Sequence, residues 1–408
     1  MADEGNPQTN RKPETPWWTP SSEAEIADAL RDGIIREDHY REVKREAPEP
    51  ERLARAIASL AVDGGTLILG LAESGAGNFA LHPIPLKGER ERIEQICLGG
   101  RIDPPLHVRI ETVRSASDPD VGYLFVAVPV SPSAPHMVGG KYWGRSDATK
   151  YALSDSEVRR IHDQAQALDG EDLSSLLGIE IRRDPWKNPA GSHLFVVAEP
   201  FRKPRRSLVD VMDEDDWGPW LYDHALGGEA RKDFKFAPAV TRGTTRVFRR
   251  AGGWAFSSGL TEDRVLEEGT REQYTIDLEV SEHASLRLYC GRAGERISDS
   301  YLTDQPVIFE ELILGETRRV VLVAANLARE VGYFGSWGFA VGVTNTKGAV
   351  SYWSRMLLTP GRRYSEQAYM NGAVTTFEEM EQDPNAVVRS LLGMFNRALN
   401  DDMVPIPH

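Results

Sequence analysis

The stretch between Glu37 and Gly70 constrains the fold of this chain more than any other. It begins with the charged run EDHYREVKRE, continues as PEPERLARAIASL, where apolar residues recur at helical spacing, and ends as AVDGG followed by TLILGL. An uninterrupted apolar run next to glycines is typical of a strand at the centre of a sheet. A helix that leads through a glycine turn into such a strand predicts a domain in which helices pack on a sheet.

Helical and strand patterns mix along the whole chain, which predicts the α+β class: two α+β domains, each a mixed sheet packed with helices. The length of 408 residues also favours two domains. We predict a disordered lead over residues 1–20, a first domain over 21–165, a linker over 166–190 and a C-terminal domain over 191–408.

Composition narrows the class of protein. Hydrophobic residues make up 40% of the chain and charged residues 27%, as in soluble globular proteins, and no apolar run is long enough for a membrane-spanning helix. Two cysteines, Cys97 and Cys290, exclude a cysteine-built zinc site and fit a reducing compartment, so we expect a cytoplasmic protein. The net charge of -14 counts against nucleic acid covering the whole surface but leaves room for a local basic groove.

Two local patterns give predictions that the structure can test directly. Polar residues at positions 41 and 44 around Val43 predict that the strand HYREVK is at most half buried. Further along, SWGFAVGVTN and AVSYWS predict a hairpin that turns through residues 345–348.

Five signals follow one another between Ser21 and Ile161. They are a capped helix over SSEAEIADALRDG, Glu37 followed after four residues by Glu42-Val43-Lys44, Gly64-Gly65 leading into the apolar strand, Val128-Pro129-Val130-Ser131 with Pro135, and Tyr142 to Thr149 with Arg145. In this order they resemble the Schlafen-type AlbA domain family, over about a third of the chain. The resemblance implies a nucleic-acid-binding domain and, by analogy with nuclease members of that family, a trio of acids around a divalent cation.

The catalytic candidates that the resemblance implies are Glu37, Glu42, Lys44 and Glu73. Glu37, Glu42 and Glu73 would hold Mg²⁺ or Mn²⁺ if the protein is a nuclease, with Asp63 as a substitute for Glu73, because carboxylate oxygens suit these ions. Lys44, two residues along the strand from Glu42, would share its face and contact a phosphate. The alternative is an exposed charged strand with a Glu42–Lys44 surface pair worth less than ~1 kcal/mol.

Basic and aromatic residues interleave in two segments, which suits phosphate contacts combined with stacking on unpaired bases. The alternative is a solvated strand edge whose aromatic rings pack inward. The nucleic-acid-binding candidates are Arg41, Lys44, Arg45, Lys141, Tyr142, Arg145 and Lys150.

The leading hypothesis is therefore a protein whose N-terminal domain binds DNA or RNA and whose C-terminal domain senses a signal or recruits a protein partner. One alternative is a Mg²⁺- or Mn²⁺-dependent endonuclease that uses the carboxylates. The other is a pure protein-interaction module, which the net charge of -14 favours.

Overall fold

The chain divides into two compact units, an N-terminal unit over Met1–Ala165 and a C-terminal unit over Gln166–His408. A computed structural model describes residues 20–75, 77–131, 133–146, 149–166, 170–204, 207–210, 212, 214–226, 246–299, 302–356 and 361–399. Both units combine helices with sheets, and the larger sheets are mixed, which confirms the predicted α+β class. Apart from residue 20, the predicted disordered lead lies outside the described residues. Among the described helices, none is long and apolar enough to cross a membrane.

The described elements of the N-terminal unit include four helices, the last of which ends one residue past the boundary. In chain order they are α1 Glu23–Arg31, β1 Arg41–Lys44, α2 Pro50–Leu60, β2 Gly65–Leu69, β3 Leu71–Gly75, β4 Asn78–Leu81, β5 Ile84–Pro85, α3 Glu89–Leu98, β6 Arg109–Arg114, β7 Val121–Val128, β8 Met137–Val138, β9 Lys141–Arg145, β10 Lys150–Ala152 and α4 Asp155–Gln166.

Strand β2 lies inside the main sheet of this unit, as the apolar run predicts. It pairs in parallel with β1 and antiparallel with β7, and β7 also pairs with β5 and β6. Every residue of β2 is buried. Leu53 and Ile57 on α2 belong to the same buried core as Leu67 and Leu69 on β2, so the apolar face of the helix covers this strand.

Two details of this region differ from the expectations. The prediction that β1 is at most half buried is wrong, because Arg41, Glu42 and Val43 are all buried and only Lys44 is partly exposed. Strand β2 also ends at Leu69, so it is shorter than the predicted TLILGL strand. The chain bends at Gly70, which has a φ of +101°, and β3 then pairs with β4 in a separate hairpin.

The described elements of the C-terminal unit build one large sheet with helices. In chain order they are α5 Gly170–Arg182, β11 Ser192–Pro200, α6 Glu214–Leu226, β12 Arg246–Arg250, β13 Gly253–Ser258, β14 Ile276–Ser281, β15 Leu286–Asp299, β16 Leu302–Ile308, α7 Glu310–Val331, β17 Ser336–Thr344, β18 Val350–Ser351, α8 Tyr352–Met356, β19 Ala368–Thr376, α9 Phe377–Gln382 and α10 Pro384–Leu399.

The strands of this sheet lie in the order β12-β13-β14-β15-β11-β17-β19, with β16 paired to β15 and β18. The predicted hairpin through residues 345–348 is wrong: β17 pairs with β19, and β18 runs parallel to β16. The predicted linker is wrong for residues 170–182, because they form α5. Leu173 and Leu177 of α5 are buried in one core with Phe195 and Val197 of β11.

Candidate nucleic-acid interface

A turn before β1 sets the geometry of the predicted site. The Asp38 carboxylate accepts hydrogen bonds from the backbone N–H groups of Tyr40 and Arg41, both at 2.8 Å. An aspartate that bonds its own backbone in this way fixes a turn. The chain then enters β1 with Glu42 facing Leu67 of β2 in the strand register.

Glu42 is the centre of a buried ion-pair cluster. Glu42 is 3% exposed. Its Oε2 accepts a hydrogen bond from Nη1 of Arg145, and its Oε1 accepts one from Nζ of Lys150. Nζ of Lys44 lies 3.1 Å from the same Oε1. Burial on its own would raise the pKa of Glu42, but Lys150, Lys44 and Arg145 outweigh it and lower the pKa to about 2. Glu42 is therefore ionised at neutral pH and neutralises cations from three strands.

Arg145 and Arg41 are buried inside this structure. Arg145 donates from Nη2 to the carbonyl oxygens of Asp38 and Arg41, both at 2.9 Å, in addition to its bond with Glu42. Arg41 donates from Nη1 to the carbonyl of Ile34 at 3.2 Å. These bonds tie β9 to the turn before β1. The prediction that these two arginines contact nucleic acid directly finds no support, because their guanidinium groups already bond the backbone and lie out of solvent.

Lys44 joins the two acids that the sequence picks out. Its Nζ lies 3.0 Å from Oε1 of Glu37 and 3.1 Å from Oε1 of Glu42. Burial would lower the pKa of Lys44, but Glu42 and Glu37 outweigh it and raise the pKa, so the ammonium stays charged. Glu37 also accepts the backbone N–H of Val43 at 3.0 Å. The structure thus brings Glu37, Glu42 and Lys44 together: Glu42 and Lys44 lie on β1, and Glu37 reaches them from the segment before that strand.

The same residues do not fit a divalent cation. An ammonium already bridges Glu37 and Glu42, and two further cations share the Glu42 carboxylate. Glu73 is exposed on β3, and its proposed substitute Asp63 lies 2.9 Å from Nε2 of His39. In the part of the chain that the structure describes, no three His, Cys, Asp or Glu residues are placed to hold a metal ion. The Mg²⁺ or Mn²⁺ site stays a prediction that rests on the resemblance alone.

The two tyrosines of β9 and β10 lie on the opposite face from the basic residues that reach Glu42. The register pairs Tyr151 with Gly144 and Lys150 with Arg145. Because side chains alternate along a strand, Tyr142 shares a face with Tyr151, while Arg145 and Lys150 point to the other face, toward Glu42. Trp143 alternates onto the second face as well, where its ring packs against the core, so stacking on bases beside these two cations stays a prediction.

Four basic residues of the predicted set keep contact with solvent. Lys44 and Lys150 are partly exposed, with side-chain exposures of 36% and 28%. Lys141 is exposed, and Arg45 is exposed while it donates from Nε to His82 at 3.0 Å.

Sequence reasoning missed Asp38, which orders the turn and supports Arg145. An aspartate just before a predicted strand was the available signal.

The chain matches no protein-family model and no curated protein.

Proposed function

We propose that the N-terminal unit binds DNA or RNA, and that Lys44 and Lys150 contact backbone phosphates. The observation that carries the proposal is the convergence of two partly exposed ammonium groups on one carboxylate oxygen, Oε1 of Glu42. The order of motifs that resembles the Schlafen-type AlbA family supports the same function.

The charge balance of the cluster favours an anionic ligand. Lys44, Arg145 and Lys150 carry three positive charges, whereas Glu37 and Glu42 carry two negative ones. One positive charge is left over at a partly exposed position, where a phosphate oxygen could take it up. Nucleic acid supplies a row of such groups, and neutralising each of them releases bound counterions.

Lys150 is the more available of the two lysines. An ammonium group carries three N–H donors, and among the described residues Glu42 is the hydrogen-bond acceptor of Lys150. Lys44, by contrast, already bonds Glu37 and the carbonyl of Val43 and contacts Glu42. A phosphate would therefore bind Lys150 first and approach Lys44 from the solvent side.

A cytoplasmic location belongs to the same proposal. Cys97 and Cys290 are both free and buried, so the fold uses them as packing residues. Together with the low cysteine content, the two free thiols support a location in a reducing compartment.

The test is the salt dependence of binding by the full chain. Fluorescence anisotropy with labelled single-stranded DNA, single-stranded RNA and duplex DNA would be recorded between about 50 and 200 mM salt, where phosphate-driven binding weakens steeply. Lys150→Ala should weaken binding to every sequence alike and reduce the slope of log K against log salt by about 1. Lys87→Ala, an exposed lysine after β5, is the matched control.

Absence of binding to all three probes at low salt contradicts the proposal. So does binding whose salt slope is the same in Lys150→Ala and in the unaltered chain. Stable capture of a protein after nuclease treatment, combined with no affinity for oligonucleotides, would instead favour the interaction-module alternative.

A further inference from the structure

Strand β19 forms one edge of the large sheet in the C-terminal unit. It pairs with β17 without a bulge, from Ser336 opposite Thr376 to Thr344 opposite Ala368. Among the strands that the structure describes, β17 is the only one that pairs with it. A strand at the edge of a sheet presents a row of backbone N–H and C=O groups that can pair with another chain.

The register shows which backbone groups face this free edge. The Phe377 N–H donates to the Gly335 carbonyl at 3.2 Å, one position beyond the end of the paired strands. In an antiparallel pair, every second residue bonds the neighbouring strand, and the residues between them point away from it. The odd-numbered residues of β19 therefore bond β17. Met370, Gly372 and Val374 direct their N–H and C=O groups to the free edge.

These three edge residues are exposed and carry no charge. Met370 is 61% exposed and Val374 is 55% exposed. Gly372 is also exposed, and because it has no side chain, solvent reaches its backbone directly. A Cβ on Gly372 would lie 4.0 Å from Leu173, so the side chains of alternate residues, Met370 and Val374 among them, point to the side of the sheet that α5 covers. The edge thus combines open backbone groups with two exposed apolar side chains.

The two ends of the same sheet differ in how they are protected. The strand at the opposite end, β12, carries Arg246, Arg249 and Arg250 within its sequence RVFRR. Charged side chains on an edge strand discourage pairing with another chain. Strand β19 has the sequence AYMNGAVTT, which contains no charged residue and no proline. Only the β12 edge therefore has the usual protection against pairing.

The pattern of β19 fits a second copy of the same chain. Gly372 is the middle residue of this strand. An antiparallel pair of two copies, with a two-fold axis at Gly372, would align the whole strand and place Met370 of each chain opposite Val374 of the other. Apolar side chains directly opposite each other stabilise a strand pair. A shift of the pairing by two residues would place one of these side chains opposite Gly372 and lose that contact.

Two N–H groups of the free edge have acceptors within the chain. The Thr376 N–H donates to Oε2 of Glu379 at 3.1 Å, as part of the cap of α9. The Gly372 N–H donates to Oδ1 of the adjacent Asn371 at 3.0 Å, and a carbonyl of a second chain can replace that oxygen. The cap of α9 ends the pairing before Thr376, so the contact centres on Gly372.

We propose that two copies of this chain pair through β19, antiparallel and centred on Gly372, so that their two large sheets join into one. Each copy uses the same strand in this contact, which makes the interface self-complementary and closes the assembly as a dimer. The interface belongs to the C-terminal unit, and it does not depend on the nucleic-acid contacts proposed for the N-terminal unit.

The experiment is sedimentation velocity of the full chain, without nucleic acid, over a wide range of protein concentration. The mass should rise from that of one chain to that of two. Val374→Lys should weaken the dimer at least about tenfold, because the two-fold axis places the lysine in the interface twice, each time opposite Met370. The matched control is Val265→Lys, at a valine that is 60% exposed and lies between β13 and β14. This control should dimerise as the unaltered chain does.

Disulfide cross-linking tests the register of the pair. Facing residues of a hydrogen-bonded antiparallel pair have Cα atoms about 5.5 Å apart, which a disulfide can span. Gly372→Cys should therefore form a disulfide-linked dimer under mild oxidation, and the natural Cys97 and Cys290 are buried. Gly252→Cys, at an exposed glycine of the β12–β13 turn with room for a Cβ, is the control and should not cross-link.

A mass of one chain at every concentration overturns the proposal. So does a dimer that Val374→Lys and Val265→Lys weaken to the same extent. Absence of the disulfide in Gly372→Cys, or equal cross-linking in Gly252→Cys, overturns the pairing about Gly372.

Discussion

Glu42→Gln is the substitution that most sharply tests the role of the buried cluster. It keeps the size of the side chain but removes the negative charge, which leaves Arg145, at 5% side-chain exposure, without its carboxylate. Removing one partner of a buried ion pair costs about 3–5 kcal/mol in unfolding free energy. The lower end applies here, because Arg145 keeps its bonds to two backbone carbonyls and the two lysines are partly solvated.

The pKa of Glu42 leads to the same magnitude. A decrease from its ordinary 4.5 to about 2 corresponds to about 3 kcal/mol, at about 1.4 kcal/mol for each pH unit. Because the folded pKa is the lower one, this stabilisation is present above pH 4.5 and is lost as the pH falls toward 2. The difference between Glu42→Gln and the unaltered chain should therefore be about 3 kcal/mol at pH 7 and shrink steadily below pH 4.5.

Hydrogen exchange at pH 7 assigns the effect to the correct unit. Peptides that cover β1 and β2 should exchange faster in Glu42→Gln, because the Thr66 N–H, which donates to the Tyr40 carbonyl at 2.7 Å, belongs to the destabilised region. Urea unfolding gives the size of the change, with Glu46→Gln, an exposed acid beside β1, as the control. A loss below about 1 kcal/mol, or one equal to that of the control, would refute the account of Glu42 as a buried anchor.

Two further substitutions test other parts of the fold. His193 is fully buried, and its Nδ1 lies 2.7 Å from Asp184 and its Nε2 2.9 Å from Glu272. Burial would lower the pKa of His193, but these two carboxylates outweigh burial and raise the pKa. The stabilisation of the fold by protonated His193 should be complete below pH 6.5 and should decrease as the pH rises through the folded pKa. His193→Asn should lower the free energy of unfolding by about 3 kcal/mol at pH 6. In urea unfolding between pH 6 and 9, the stability of this variant should no longer decrease as the pH rises. A decrease that persists in the variant would show that His193 is not its cause. Gly65→Ala should cost about 2 kcal/mol in the same assay, because a Cβ there would lie 2.3 Å from the Tyr40 carbonyl oxygen; unchanged stability would show that the strands separate easily.

Local pattern was enough to predict the strands and helices around the site. The apolar run from Thr66 to Leu69 and the helical spacing of Leu53 and Ile57 predicted a buried strand and the helix that covers it, and both are present. The spacing of Leu173 and Leu177, four residues apart, also carried a helical signal. The polar residues before them favoured a linker instead, so α5 was missed.

The burial of Glu42 could not be predicted in this way. Its partners Arg145 and Lys150 lie 103 and 108 residues away in the sequence, and no local pattern indicates which distant cation meets a given acid. The C-terminal unit contains similar long-range pairs, such as Arg183 with Glu279, 96 residues apart. The short range of sequence patterns explains why the charged strand was predicted to be at most half buried.

Lysine labelling directly tests whether Lys44 and Lys150 contact nucleic acid. The full chain would be acetylated with a limiting amount of reagent, with and without a saturating oligonucleotide at low salt, and each lysine quantified by mass spectrometry. If both lysines contact phosphates, the oligonucleotide should protect Lys150 and Lys44 while the labelling of Lys87 stays the same. Equal labelling of Lys150 in the two samples, under conditions where anisotropy shows binding, would contradict it.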